Sequence, residues 1–163
     1  MGIRQKVEEK LLSNYENYYR LAYSYVRNES DAMDIVQESA YKAMKNYQLV
    51  KKEEYISTWI YRIVVNTSLD FLRKHRKEVI GVIEEEPSYE DSYKDFDMFN
   101  ALNKLEEEDR IIVILRYFED QKLEDIAEIT GNNLNTVKTK LYRALKRLKT
   151  AMENEEHHEI RKA

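Results

Sequence analysis

The chain has 163 residues, 36% charged and 42% hydrophobic, with a formal net charge of -4; that is enough for one domain or two small ones with a buried core. No Cys is present, which excludes disulfides and thiolate metal sites, and three Gly with one Pro suit long helices and short connections better than a sheet. The opening MGIRQKVEEKLL lacks the apolar core of a signal peptide, and the longest apolar run, IIVIL at 111–115, is too short to cross a bilayer, so a cytoplasmic all-α protein is expected.

Leu11, Tyr15, Tyr18, Tyr19, Ala22, Tyr25 and Val26 recur at steps of three and four and predict one first helix with a single apolar face. Ser30 is placed to cap a second helix, because its hydroxyl can accept from backbone N–H groups that lack intrahelical partners. Ile35, Val36, Ala40, Ala43, Met44 and Tyr47 supply that helix with its stripe. Its start, DAMDIVQE at 31–38, sets Asp31, Asp34, Gln37 and Glu38 beside Ile35 and Val36. Carboxylates and an amide next to apolar surface fit an interface with a basic protein partner; the same pattern also fits a plain amphipathic bundle helix.

A third helix is predicted from near Ser57 through TWIYRIVVNTSLDFLRKHRK, with Ile60, Ile63, Val64, Thr67 and Phe71 on its buried side. At about 100° per residue, Trp59, Arg62, Asn66, Asp70 and Arg73 share a narrow sector turned away from that stripe. A ring, an amide and cations on one exposed face suit unpaired bases, since rings stack on bases and amides read their edges. Periodicity leaves Trp59 open between this face and the core. Three helices of this kind make a bundle.

Val79 to Met98, VIGVIEEEPSYEDSYKDFDM, holds the only Pro and seven acidic residues against one basic residue. Mutual repulsion keeps such a segment extended and flexible. The expected organisation is therefore a first helical domain at 1–78, an acidic linker at 79–98 and a second helical domain at 99–163.

In the second domain, short helices are expected around Phe99 to Leu105 and Asp109 to Phe118, followed by LEDIAEIT, a break at GNN, and the basic stretch NTVKTKLYRALKRLKT. That order is a helix-turn-helix, with Gly131 ending the first helix in a left-handed conformation and Asn135 capping the next. Val137, Leu141, Ala144, Leu145 and Leu148 form one apolar stripe, which leaves Lys138, Thr139, Lys140, Tyr142, Arg143, Lys146, Arg147 and Lys149 facing outward. Cations at a helix amino terminus oppose its dipole, so Lys138 and Lys140 need another reason. The DNA major groove supplies one, because Lys and Arg donate to guanine acceptors there and further cations meet phosphates. A solvated basic face is the alternative. No glycine-rich phosphate loop is present, and His75, His157 and His158 lack ligand spacing, so no catalytic residue, metal or cofactor is expected.

Taken together, DAMDIVQESAYKAMKNY, TWIYRIVVNTSLDFLRK and LEDIAEITGNNLNTVKTKLYRALKRLK, in this order around an acidic segment, resemble the extracytoplasmic-function group of bacterial sigma-70 factors over roughly residues 10–150. The resemblance implies a non-catalytic subunit that binds RNA polymerase core, recognises two promoter elements and opens the DNA. By that resemblance the helix bearing Asp31, Asp34, Ile35, Gln37 and Glu38 docks on the polymerase's largest subunit. Trp59, Arg62, Asn66 and Arg73, with the loop from Asn46 to Tyr55, meet the minus-10 element; Lys138, Thr139, Lys140, Tyr142 and Arg143 read the minus-35 element. The linker would thread toward the polymerase cleft. Control by an anti-sigma factor, often membrane-anchored, and a regulon answering stress or envelope signals are also implied. Asn135 stands where the family often has Gly, and Lys138 and Lys140 where Arg is frequent; Lys lacks Arg's bidentate fork. The runner-up for the same residues is a helix-turn-helix repressor or activator acting without polymerase core.

Overall fold

A chain so poor in breakers becomes helix after helix. The computed structural model describes residues 2–78 and 100–162, and contains no strand among them. The amino-terminal unit comprises α1 (Ile3–Ser13), α2 (Tyr15–Val26), α3 (Glu29–Lys45) and α4 (Ile56–Glu78), with 3-10 turns at Tyr47–Leu49 and Glu53–Tyr55 between the last two. The carboxy-terminal unit has helical residues at 100–103, then α5 (Glu107–Val113), a π-helical turn (Ile114–Phe118), α6 (Leu123–Thr130) and α7 (Leu134–Lys162). The expected linker, 79–98, lies outside the described residues.

Three local expectations are corrected. The predicted single first helix is two, because Asn14, at φ -116° and ψ 20°, interrupts it and its side-chain amide donates to the Lys10 carbonyl. Asn competes for backbone groups in this way, whereas the apolar repeat runs on through the break and hides it. The cap of α3 is Asn28 in place of Ser30: its side-chain oxygen accepts from the Asp31 N–H at 2.9 Å. Likewise Asn133, and not Asn135, accepts from the Thr136 N–H at 2.8 Å to cap α7. In both cases an Asn stands two positions earlier and its carbonyl does the same capping chemistry. Gly131 ends α6 at φ 74°, as its freedom from a Cβ allows.

The helix that organises the molecule is α4. Ile60, Tyr61, Val64, Val65, Thr67 and Ser68 are all buried along it, far more than one stripe. The reason is that α2 and α3 pack on α4 within the amino-terminal unit, while α6 packs on it from the carboxy-terminal unit. Ser68 tolerates burial by donating to the Val64 carbonyl at 2.7 Å. The buried residues of the two units form one continuous apolar cluster.

Polar contacts cross the same seam. Glu119, just after the π-turn, is buried and accepts from the Tyr61 hydroxyl at 3.0 Å and the Arg20 Nε at 3.3 Å. Burial pushes its carboxyl above the usual range, against the opposing effects of Tyr61 and Arg20. Burial, reinforced by the Glu119 charge, pushes the Tyr61 phenol up as well, so it stays a donor. Nearby, Arg110 donates to the Ser24 carbonyl at 2.8 Å, and the rings of Tyr18 and Tyr61 meet edge to face at 5.2 Å.

Candidate nucleic-acid and polymerase interfaces

Burial of α4 on two flanks leaves one strip to solvent. Arg62, Asn66, Asp70 and Arg73 are exposed in it, and Arg73 lies 3.8 Å from Asp70. Among the described residues Arg62 and Asn66 have no side-chain partner, so their donors and the Asn66 carbonyl are free for a ligand. Trp59 is half-buried: part of its ring packs on the core cluster and the rest is open. Ahead of α4 in the chain, the two 3-10 turns expose Leu49 (69%) and Tyr55 (52%), with Lys52 over the Tyr55 ring at 6.0 Å. An ion pair from Lys6 to Glu53 at 2.7 Å fastens the second turn to α1. The resemblance named this loop as a range ending at Tyr55 without singling out either exposed side chain, whose signal is that neither belongs to any helical stripe.

On α3 the carboxylate face is present without its apolar neighbours. Asp34, Gln37 and Glu38 are exposed and Asp31 is half-buried, but Ile35 is wholly buried (0%) and Val36 nearly so (4%). Ile35 is therefore corrected from a docking residue to a core residue. With Ala32, Ser39 and Ala43 it forms the inner stripe of α3, and a side chain without surface cannot touch a partner. Met33 supplies the exposed apolar surface here, its sulfur 2.8 Å from the Tyr15 hydroxyl.

The helix α7 has three faces. Val137, Leu141 and Ala144 are buried, and Leu145 and Leu148 partly so. A second face carries Lys138, Thr139, Tyr142, Lys146 and Lys149, all exposed, with Tyr142 at 68%. The Thr139 hydroxyl donates back to the Asn135 carbonyl at 2.9 Å, which leaves its oxygen free to accept. The third face turns to α5. There Lys140 pairs with Glu108, and Arg143 donates through Nε and Nη2 to the two carboxylate oxygens of Asp109 at 3.0 and 2.7 Å. Arg147 lies 3.8 Å from Glu106. Hydrogen bonding to Asp109, then its charge, raises the Arg143 pKa further.

The five residues expected to read one DNA element thus divide: Lys138, Thr139 and Tyr142 look outward, while Lys140 and Arg143 are engaged by acids of α5. Glu106, Glu108 and Asp109 were missed in the sequence because acidic residues in a helix's first turn are already accounted for by its dipole. Asp109, at 0% exposure, is the one whose burial sets it apart.

Comparison with known proteins follows the same division. The family described as Sigma-70 region 2 matches residues 12–78, and Sigma-70, region 4 matches residues 97–148. The RNA polymerase sigma factor SigV of Bacillus subtilis (strain 168) is 50% identical over 147 residues, covering 86% of this chain and 87% of that protein. The ECF RNA polymerase sigma factor SigW of the same strain is 28% identical over 153 residues, 82% of each. Among solved structures, the sigma factor RpoE in complex with the anti-sigma factor NepR from Bartonella quintana superposes with a TM-score of 0.76 at 25% identity, over 90% of this chain and 96% of that one. CnrH, solved with the cytosolic domain of CnrY, shares the fold with a TM-score of 0.68 at 18% identity, over 91% of this chain and 88% of that one.

Proposed function

The chain belongs to the sigma-70 family, in its extracytoplasmic-function group, and from that premise we propose how its surfaces divide the work of a sigma factor. The family is one of transcription initiation factors. The α3 face of Asp34, Gln37 and Glu38, with Asp31 at its edge, binds RNA polymerase core by attraction to a basic surface. Arg62, Asn66 and Arg73 on α4, with the open part of Trp59, receive the minus-10 element as it separates. Leu49 and Tyr55 flank them as apolar surface for an unstacked base. The outward face of α7 enters the major groove of the minus-35 element through Lys138, Thr139 and Tyr142, with Arg143 at its edge and Lys140 beside it near the phosphates.

The observation that carries this reading is the pairing of two free faces on two units. One is the strip of α4 on which Arg62 and Asn66 have no side-chain partner among the described residues; the other is a basic, aromatic-bearing face on the second helix of a helix-turn-helix. RpoE was captured with an anti-sigma factor, and control of this chain by such a factor, membrane-anchored and covering the core-binding face, extends the reading. No helix among the described residues is long and apolar enough to cross a membrane; the chain acts in the cytoplasm, where polymerase is, on a regulon of stress or envelope signals.

Run-off transcription with purified core polymerase on a promoter library tests this directly. Initiation that requires both the chain and core, at promoters sharing two elements, is the expected result. Tight binding to duplex DNA by the chain alone, with no core-dependent initiation, would instead establish a helix-turn-helix repressor or activator.

A further inference from the structure

We propose that Asp109 is a positioning residue for promoter reading: it holds the Arg143 guanidinium side-on, so that the outer edge of the fork is presented to a guanine of the minus-35 element. The inference rests on the reading of α7 given above.

A guanidinium carries five N–H donors. The Asp109 pair uses the Nε–H and one hydrogen of Nη2, at 3.0 and 2.7 Å. Both hydrogens of Nη1 and the second of Nη2 remain, and these two nitrogens form the edge that matches the O6 and N7 acceptors of guanine. The Arg143 side chain keeps 42% of its surface open, which leaves room for a ligand beside the pair. The next carboxylate, Glu106, lies 3.8 Å from Nη2, beyond hydrogen-bond reach.

Asp109 is placed to hold this geometry firmly. Its side chain is wholly buried between α5 and α7 (0% exposed), so it does not swing out to solvent. An apolar side chain of like volume would fasten two helices as well as a buried ion pair does. What a carboxylate adds is direction: two oxygens in plane fix the rotation of a long, flexible side chain before DNA arrives, and a donor already oriented loses less freedom on binding. Lys138 and Tyr142, without such a partner, enter the groove as adaptable contacts.

The test uses full-length chain assembled with core polymerase and a promoter series bearing every single substitution in the minus-35 element. Arg143→Ala should lose discrimination at one G·C pair by roughly 5- to 150-fold, the range for a bidentate base contact. Asp109→Asn should flatten preference at that same pair, and the double variant should lose no more than Arg143→Ala alone. Asp109→Leu fills the buried site without an acceptor; with its melting midpoint held, it should lose the same preference. Wild-type preference in a folded Asp109→Leu holoenzyme, or an equal loss at every sequence variant, overturns the positioning role. Intact discrimination in Arg143→Ala overturns it too, and in each of these cases core-dependent transcription by the wild type keeps the sigma reading standing. Absence of core-dependent initiation by the wild type overturns both.

Discussion

The helices α4 and α7 each carry a proposed nucleic-acid face, and they are built in opposite ways. Along α4, apolar packing from both units takes every side but one, and the strip left over is held by the core itself. On α7 a single stripe is buried, and the long basic surface that remains is disciplined by charge, through Glu108 on Lys140 and Asp109 on Arg143. The difference separates two ways for a binding face to fail. A change inside α4 costs the fold before it costs recognition, whereas a change beside α7 alters recognition with the fold intact.

The largest expected effect therefore belongs to the interior of α4. Ile60 is fully buried, and Ile60→Ala should lower unfolding stability by about 2 to 5 kcal/mol through lost burial and the cavity left behind. Chemical denaturation measures this. A loss below about 0.5 kcal/mol, the scale of ordinary surface changes, would mean that α4 is not the doubly packed helix described above.

A smaller effect should come from the polar seam where α4 meets the carboxy-terminal unit. Tyr61→Phe removes the hydroxyl that donates to Glu119 at 3.0 Å and leaves a buried carboxylate with Arg20 alone, at a cost of about 1 to 3 kcal/mol. Adding Glu119→Gln to Tyr61→Phe should recover part of that loss, since a neutral amide is easier to bury. No recovery would place the hydroxyl's contribution elsewhere.

The same carboxyl makes the seam pH-dependent. Burial raises the Glu119 pKa above its value in the unfolded chain, so the folded state holds this proton more tightly. The stability it contributes is present below the ordinary carboxylate range and is lost as pH rises through the raised value. Urea midpoints measured from mildly acidic to neutral pH should fall in the wild type relative to Glu119→Gln. Parallel profiles for the two proteins would show that Glu119 titrates as an ordinary surface carboxylate.

The contrast also explains what was legible in the sequence. The stripe of α7 was readable from Val137, Leu141 and Ala144, because its one burying surface leaves a simple period. On α4, Ile60 and Val64 were readable, but Tyr61, Val65 and Ser68 were not. The helix as a whole packs on a further partner, α6, about sixty residues onward, and local periodicity carries no word of a distant neighbour. Ile35 was legible as part of the α3 stripe, and it is the docking role implied by the resemblance that fails, because the same helical geometry turns the side chain inward. The exposed set of α4 survived because a narrow polar sector stays outside however many sides are packed.

The smallest effect on stability and the sharpest on function should meet at Asn66. It is exposed on the open strip of α4, with no side-chain partner among the described residues, so Asn66→Ala should leave the unfolding midpoint within about 0.5 kcal/mol of wild type. Its amide offers both a donor and an acceptor, which suits the edge of a base that has left its pair, and taking a base from the stack costs a few kcal/mol that a receiving site must offset. The Asn66→Ala holoenzyme should bind closed promoter DNA normally yet give less permanganate-reactive thymine, and a template with a pre-melted minus-10 bubble should restore much of its transcription. Trp59→Ala should show the same rescue, together with a modest fall in midpoint, because part of that ring packs on the core. If closed-complex binding falls as far as opening does, and the bubble restores nothing, the α4 face contacts duplex. The two faces would then differ in their packing alone.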